Sequence, residues 1–337
     1  MSDMKRVLVI KLGALGDVVI ATSALRRIQL SYPGSEIWLL TAEDFAPLFA
    51  DWPGLHVHAT PRRGLRHMLR LLRWLREQRF DAIFDLQSND RSALLCAFSG
   101  APMRVGNHPR FPYTHHPATR HAKEEPGFAR LQLMLQAAGL PEAQARPYIP
   151  AGDQERRLVQ EWLRQQALQD AGFVLMHAGA SPRWPAKRWP HYAQLAAALE
   201  QRGVRVVWLG AAADRAVNGE LARTAGIDAT DRFSIGALAE LARHARFAVA
   251  NDSGPMHVLA AAGIPVYAFF GPTDWRRSHA LGQRDRVLVN PQPCAACGRA
   301  DRARATDHSC LPGITAAEVL ARLERDGLLR PPPATAR

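Results

Sequence analysis

The segment Asn251-Asp252-Ser253-Gly254-Pro255-Met256-His257 has the residue types of a ligand-binding turn. An apolar run, Phe247-Ala248-Val249-Ala250, precedes it and reads as a buried strand. Val258 to Gly263 follow and read as a short helix closed by glycine. A strand, a small polar turn and a helix N-terminus make an anion site, because unpaired backbone N–H groups and the helix dipole both point into the turn. Ser253 and Gly254 are small enough to let a phosphate approach. Asp252 would repel that phosphate, but it would accept hydrogen bonds from sugar hydroxyls beside it. The combination points to a sugar nucleotide. The same residues would also serve as a plain Asp/Ser helix cap with no ligand.

Four further turns carry chemistry. Lys11-Leu12-Gly13-Ala14-Leu15-Gly16-Asp17 follows the first apolar run. Its glycines permit a tight turn, and Asp17 falls at a helix start, where it is either an N-cap or a functional carboxylate. The segment lacks both the dinucleotide fingerprint and the Gly-Lys-Ser/Thr of a nucleoside-triphosphatase loop. His177 to Pro190 holds Ser181, then Arg183, Lys187 and Arg188, then a Trp-Pro helix start. Ser181 and Lys187 suit a diphosphate, the hydroxyl as donor and the ammonium as counter-charge. Gly210 to Arg215 places Asp214 shortly after a strand, where an acid binds ribose hydroxyls or merely starts a helix. Gly271-Pro272-Thr273 is a turn that either closes over a ligand or simply reverses the chain.

Arg62, Arg63, Arg66, Arg70, Arg73, Arg76 and Arg79 crowd one stretch whose only acid is Glu77. Arg66, Arg70 and Arg73 fall at helical spacing on one face. Leu65, Met68, Leu69, Leu72 and Leu75 read as an apolar stripe on another. Such a helix suits an anionic membrane surface or a phosphorylated lipid acceptor, or it is a solvated helix with core leucines. No nucleic-acid motif accompanies the charge, so nucleic acid is not an expected partner. Cys294-x-x-Cys297 with Cys310 and His308 has the donor atoms of a metal site, but the spacing of the second pair is atypical. A cysteine-bearing loop is the reading adopted, and no cofactor is expected. Cys96, in an apolar stretch, reads as a core residue.

The elements that must position these turns alternate along the chain. Apolar runs at 7–10, 37–40, 81–84, 173–176, 204–209, 247–250 and 264–269 read as strands. Helices are expected over 17–30, 43–50, 65–78, 126–138, 154–166 and 315–325, with a Pro- and His-rich loop at 102–117. Near-continuous apolar strands separated by helices imply parallel sheets covered on both faces. The Pro- and Gly-bearing stretch at 140–153 reads as a linker, and 337 residues suit two domains, 1–150 and 151–337. The formal net charge of +12 is divided evenly between the halves, which favours anionic substrates or surfaces over a basic tail. No apolar run reaches the length of a membrane span and no secretory signal opens the chain, so a cytoplasmic location is expected.

Taken in order, the Gly-x-x-Gly-Asp turn, Pro185-Ala186-Lys187-Arg188-Trp189-Pro190, Asn251 to His257 and Gly271-Pro272-Thr273 resemble the ADP-heptose:lipopolysaccharide heptosyltransferases, glycosyltransferase family 9. The resemblance spans roughly residues 5–290. It implies a GT-B fold, two Rossmann-like doubly wound domains facing across a cleft, acceptor on the first and ADP-sugar on the second. By position, Asp17 resembles the catalytic base, and Ser181 and Lys187 the diphosphate contacts. Asp252, Ser253, Gly254 and His257 resemble the donor turn, and Asp214 the adenosine-ribose contact. The implied partners are an ADP-heptose donor, a lipid A–Kdo type acceptor and the cytoplasmic surface of the inner membrane. Absence of an Asp-x-Asp pair on a suitable loop agrees with a metal-independent mechanism, and a single base with no evident nucleophile agrees with inversion. Three alternatives stand beside this reading. One is another nucleotide-sugar donor or glycan acceptor, one a GT-B nucleotide-sugar 2-epimerase, and one a binding module without catalysis.

Overall fold

The computed structural model describes residues 4–61, 64–119, 126–169, 172–181, 184–290 and 310–329. The chain divides into two compact units, residues 1–150 and 151–337.

The first unit runs β1 (Arg6–Ile10), α1 (Leu15–Ser31), β2 (Glu36–Ala42), a 3-10 segment (Glu43–Phe49), β3 (Leu55–Thr60), α2 (Leu65–Gln78), β4 (Ala82–Asp85), α3 (Asp90–Phe98), β5 (Met103–Val105) and α4 (Gly127–Ala137). The five strands are parallel in the order β3-β2-β1-β4-β5. Val7 to Ile10 are wholly buried, as a central parallel strand with helices on both faces requires. Helix α1 packs against α4, and α2 against α3. Residues 43–49 form a 3-10 turn rather than the expected α-helix, since Pro47 inside the segment cannot donate to a helical hydrogen bond. The expected loop at 102–117 contains the short edge strand β5, too brief to show a period.

The second unit runs α5 (Asp153–Gln165), β6 (Val174–His177), α6 (Tyr192–Glu200), β7 (Val206–Trp208), α7 (Arg215–Thr224), β8 (Ile227–Asp228), α8 (Ile235–Arg243), β9 (Ala248–Asn251), α9 (Gly254–Ala261), β10 (Val266–Phe270), α10 (Trp275–Ser278), β11 (Val287–Val289) and α11 (Ala316–Arg325). Its parallel order is β11-β10-β9-β6-β7-β8. Successive strand residues point to opposite faces, so the sheet builds two cores. Leu175, Val207, Ala248, Ala250 and Phe270 join Trp162 and Leu163 of α5, Leu241 of α8 and Met256 of α9. Met176, Trp208, Val249 and Phe269 join Leu195 and Leu199 of α6 and Val319 and Leu323 of α11. Each fully buried Val, Leu, Met or Phe side chain among them contributes about 1.5–3 kcal/mol.

Both sheets have a point where the strand order reverses, between β1 and β4 in the first unit and between β6 and β9 in the second. Ligands in doubly wound sheets bind outside the carboxyl ends of strands at that point.

Candidate functional site

In the second unit the reversal brings the turn after β6 beside the turn after β9. Asn251, the last residue of β9 and wholly buried, ties them together. Its Nδ2 donates to the carbonyls of Ala178 and Gly179, both at 3.0 Å, and its Oδ1 accepts from the Trp189 N–H at 3.1 Å and the Tyr192 hydroxyl at 3.2 Å. Lys187 ends a short 3-10 turn and lays its Nζ 2.6 Å from Asp252 Oδ2. Thr273 Oγ1, in the turn after β10, donates to the same oxygen at 2.6 Å. Asp252 is thus held by one cation and one hydroxyl, and its side chain is only 8% exposed.

Ser253 is the N-cap residue of α9, yet its hydroxyl makes no capping bond. It faces the Asn251 carbonyl at 3.2 Å and His177 Nδ1 at 3.3 Å. Gly254 opens the helix, with Pro255 in the first turn. His257 is buried one turn further on. Ser181 is exposed, and its carbonyl accepts from the Trp184 N–H at 2.8 Å.

Asp214 begins α7 and is buried. Its Oδ2 accepts from the Ala211 N–H at 3.1 Å and stands 4.0 Å from His177 Nε2. Gly179 makes this approach possible, because a Cβ there would fall 2.4 Å from Asp214 Oδ1. His177, the last residue of β6, therefore touches the turns after both β7 and β9. Burial pushes its pKa down to about 4, against the pull of Asp214, so the ring is neutral near pH 7.

The corresponding end of the first unit holds the Gly-rich turn. Gly13 has φ +147°, a conformation that side chains rarely adopt. The Leu12 and Gly13 N–H groups donate to Gln87 Oε1 at 2.9 and 3.2 Å. Gln87 is in turn fixed by Asp85, wholly buried at the end of β4, which accepts from the N–H groups of Gln87 and Ser88 at 3.1 and 2.9 Å and from the Tyr113 hydroxyl. Burial raises the Asp85 pKa, and these donors oppose the shift.

Asp17 is exposed and is the third residue of α1, whose N-cap is Ala14. The N-cap reading of Asp17 is corrected: helical geometry begins at Leu15, two residues earlier than the sequence pattern suggested. Asp17 lines a cavity of about 80 Å³ with Lys11, Gln87, Ser88, Asn107 and Arg130. Lys11 is 8% exposed, and its Nζ donates to the Leu86 carbonyl at 3.2 Å. Burial lowers its pKa, while Asp17 and Asp85 act to raise it.

Helix α2 presents Arg66, Arg70 and Arg73 to solvent, and Arg73 Nε pairs with Glu77 Oε1 at 2.7 Å. Leu71 and Leu75 are buried. Leu69 does not belong to the apolar stripe assigned to it. It is 60% exposed among the arginines, because the face packed on the sheet runs through Met68, Leu71, Leu72 and Leu75. Arg62, Arg63, Cys294, Cys297 and His308 lie outside the described residues. Cys310 is buried beside Gly271, where a Cβ would meet its Sγ at 3.0 Å.

His177, Asn251, Thr273 and Gln87 are the site residues that the sequence did not single out. Asn251, His177 and Thr273 lie inside turns legible in the sequence, but only the sheet order brings Asn251 to the turn after β6, His177 to Ser253 and Thr273 to Asp252.

A family model described as glycosyltransferase family 9 (heptosyltransferase) matches residues 68–305. Lipopolysaccharide heptosyltransferase 1 of Pseudomonas aeruginosa is 29% identical over 321 residues, covering 87% of this chain and 86% of that protein. Lipopolysaccharide heptosyltransferase 2 of Escherichia coli is 27% identical over 319 residues, covering 84% and 87%. The solved E. coli ADP-heptose lipopolysaccharide heptosyltransferase II superposes with a TM-score of 0.75 at 26% identity, covering 96% of this chain and 98% of that one. A glycosyltransferase family 9 structure from Veillonella parvula shares the fold, with a TM-score of 0.80 at 23% identity over 97% of this chain and 99% of that one. Two parallel α/β units of GT-B architecture, bearing these turns at their strand-order reversals, therefore place the chain in glycosyltransferase family 9, the heptosyltransferase family.

Proposed function

We propose that this chain transfers heptose from an ADP-heptose donor to an acceptor of the lipopolysaccharide inner core, lipid A–Kdo in type, with inversion and without a metal. The second unit takes the donor and the first the acceptor. The observation that carries the reading is the cluster at the β6/β9 reversal, where Lys187 and Thr273 both bond Asp252 and the next residue, Ser253, opens α9 with its hydroxyl beside His177.

The steps follow from residue chemistry. Asp17 removes the proton from the acceptor hydroxyl, and the freed oxygen pair attacks the anomeric carbon of the heptose. The bond from that carbon to the diphosphate oxygen breaks and ADP departs with the electron pair. Its growing charge is met by Lys187, Ser181 and the N–H groups at Gly254 on the N-terminus of α9. Asp252 accepts from heptose hydroxyls, and Asp214 serves the ribose. These fixed positive groups supply the charge stabilisation that a cation would otherwise provide. His257 lies on the donor helix and completes the turn.

The cytoplasmic face of the inner membrane is the proposed working place, with contact through α2. Its exposed Leu69 beside Arg66 and Arg70 supports this, as an apolar residue and cations together suit an anionic interface. No helix among the described residues is long and apolar enough to cross a membrane.

A thermal-shift comparison of ADP, UDP and GDP tests the donor. A ligand at about 100 times its dissociation constant stabilises by about 2.7 kcal/mol. ADP should shift the melting temperature most. A larger shift with UDP would overturn the reading.

A further inference from the structure

The Ser253 hydroxyl has one proton to give, and its surroundings take that proton inward. The Asn251 carbonyl, 3.2 Å away, can only accept. His177 Nδ1 lies 3.3 Å from the same hydroxyl oxygen. The ring is 4% exposed and neutral, so it carries a single N–H. With that proton on Nε2, which faces the Asp214 carboxylate at 4.0 Å, Nδ1 is a second acceptor for the serine proton. With it on Nδ1, the ring donates to the serine oxygen and the hydroxyl still turns to the Asn251 carbonyl. In both tautomers Ser253 offers its outer side a lone pair and no hydrogen.

Its neighbour is in the same condition. Asp252 Oδ2 is taken by Lys187 and Thr273, while Oδ1 has no hydrogen bond among the described residues. The turn thus presents two acceptors side by side at the start of α9. Acceptors repel phosphate oxygens and bind O–H donors. Ser253 also makes no capping bond, so the hydroxyl is not held there for the sake of the helix.

We infer that His177 is a positioning residue of the donor site, which with the Asn251 carbonyl fixes Ser253 as a hydrogen-bond acceptor for hydroxyls of the transferred sugar. This rests on the donor reading above and deepens it. The diphosphate is left to Lys187, Ser181 and the backbone N–H groups, and the sugar to Asp252 and Ser253. His177 does not touch the ligand, but it sets what Ser253 can recognise.

The test measures the dissociation constants of ADP and ADP-heptose by calorimetry, without acceptor, for the full chain. The variants are His177→Leu, Ser253→Ala, their double, and His177→Asn. The quantity read is the sugar increment, the ratio of the ADP constant to the ADP-heptose constant. One neutral hydrogen bond corresponds to a factor of about 3–10. Ser253→Ala should reduce the increment by that factor, and His177→Leu by a smaller part of it because the Asn251 carbonyl remains, while ADP affinity stays at the wild-type value. The double should lose no more than Ser253→Ala alone, because His177 acts only through that hydroxyl. His177→Asn, which keeps an acceptor near the position of Nδ1, should retain the increment.

Equal losses for ADP and ADP-heptose, multiplicative losses in the double, or a wild type that binds both equally would each overturn the inference. A merely structural histidine would give the first or second of these. Should His177→Leu not fold, His177→Phe, which keeps the bulk of the ring without its nitrogens, takes its place. Tighter binding of UDP than ADP by the wild type would instead overturn the proposed function.

Discussion

Replacing Lys187 with alanine should separate stability from donor binding. The ammonium lies 2.6 Å from Asp252 Oδ2, with the two side chains 18% and 8% exposed. Removing one partner of a fully buried ion pair costs about 3–5 kcal/mol, while an exposed pair is worth about 0–1 kcal/mol. This pair lies between those limits. Thr273 still donates to Asp252 after the change, which moderates the loss. A destabilisation of about 2 kcal/mol is expected, from the interval between the two cases. For a domain of this size that lowers the melting temperature by about 4–8 °C. The lost charge-assisted contact to phosphate should weaken ADP binding by about 10–100-fold. Adding Asp252→Asn removes the uncompensated carboxylate, so the double variant should melt nearer the wild type while ADP affinity stays low. Scanning and titration calorimetry on the three proteins give both quantities. An unchanged melting temperature for Lys187→Ala would refute the partly buried pair. An unchanged ADP affinity would remove Lys187 from the diphosphate.

Asp17→Asn should leave the melting temperature and ADP affinity unaltered, because Asp17 is exposed and does not cap α1, while transfer falls by about 10²–10⁴-fold; near-normal turnover would remove it as the base. His177 has a folded pKa of about 4 against an ordinary 6.5, so the native state resists its protonation. Its contribution is therefore complete above about pH 6.5 and is lost as pH falls towards 4, by up to about 3 kcal/mol. Melting temperatures across that range should fall less steeply for His177→Asn than for the wild type, and parallel slopes would contradict the buried neutral ring. Sedimentation with anionic vesicles should weaken as salt rises and vanish when Arg66, Arg70 and Arg73 become Glu, each cation near the surface being worth about 1 kcal/mol. Dialysis against EDTA should leave transfer unchanged, and a loss restored by a divalent cation would refute the metal-independent mechanism.

What could be read from the sequence was local. Phe247 to Gly263 is a strand, a turn and a helix because one apolar run meets Asp-Ser-Gly-Pro, residues that end one element and start the next. The same logic located the central strands, whose burial on both faces leaves continuous apolar runs. It did not find β3, β5, β8 or β11, which are short or half-exposed and carry no clear period. It also placed Leu69 in a core stripe that the sheet does not cover, because spacing fixes a helix face but not which face is packed.

The candidate site divides in the same way. Residue types marked Asp17, Lys187, Asp252 and Ser253, since carboxylate, ammonium and hydroxyl groups after strands have few roles. Tertiary structure decided that Lys187 and Thr273 share one oxygen of Asp252, and that His177 stands between Asp214 and Ser253. Residues 177 and 253 are far apart in the chain and meet only because β6 lies beside β9. Side-chain period and turn chemistry are properties of a few consecutive residues. Strand order is a property of the whole sheet, and so are the partners that it brings to each strand end.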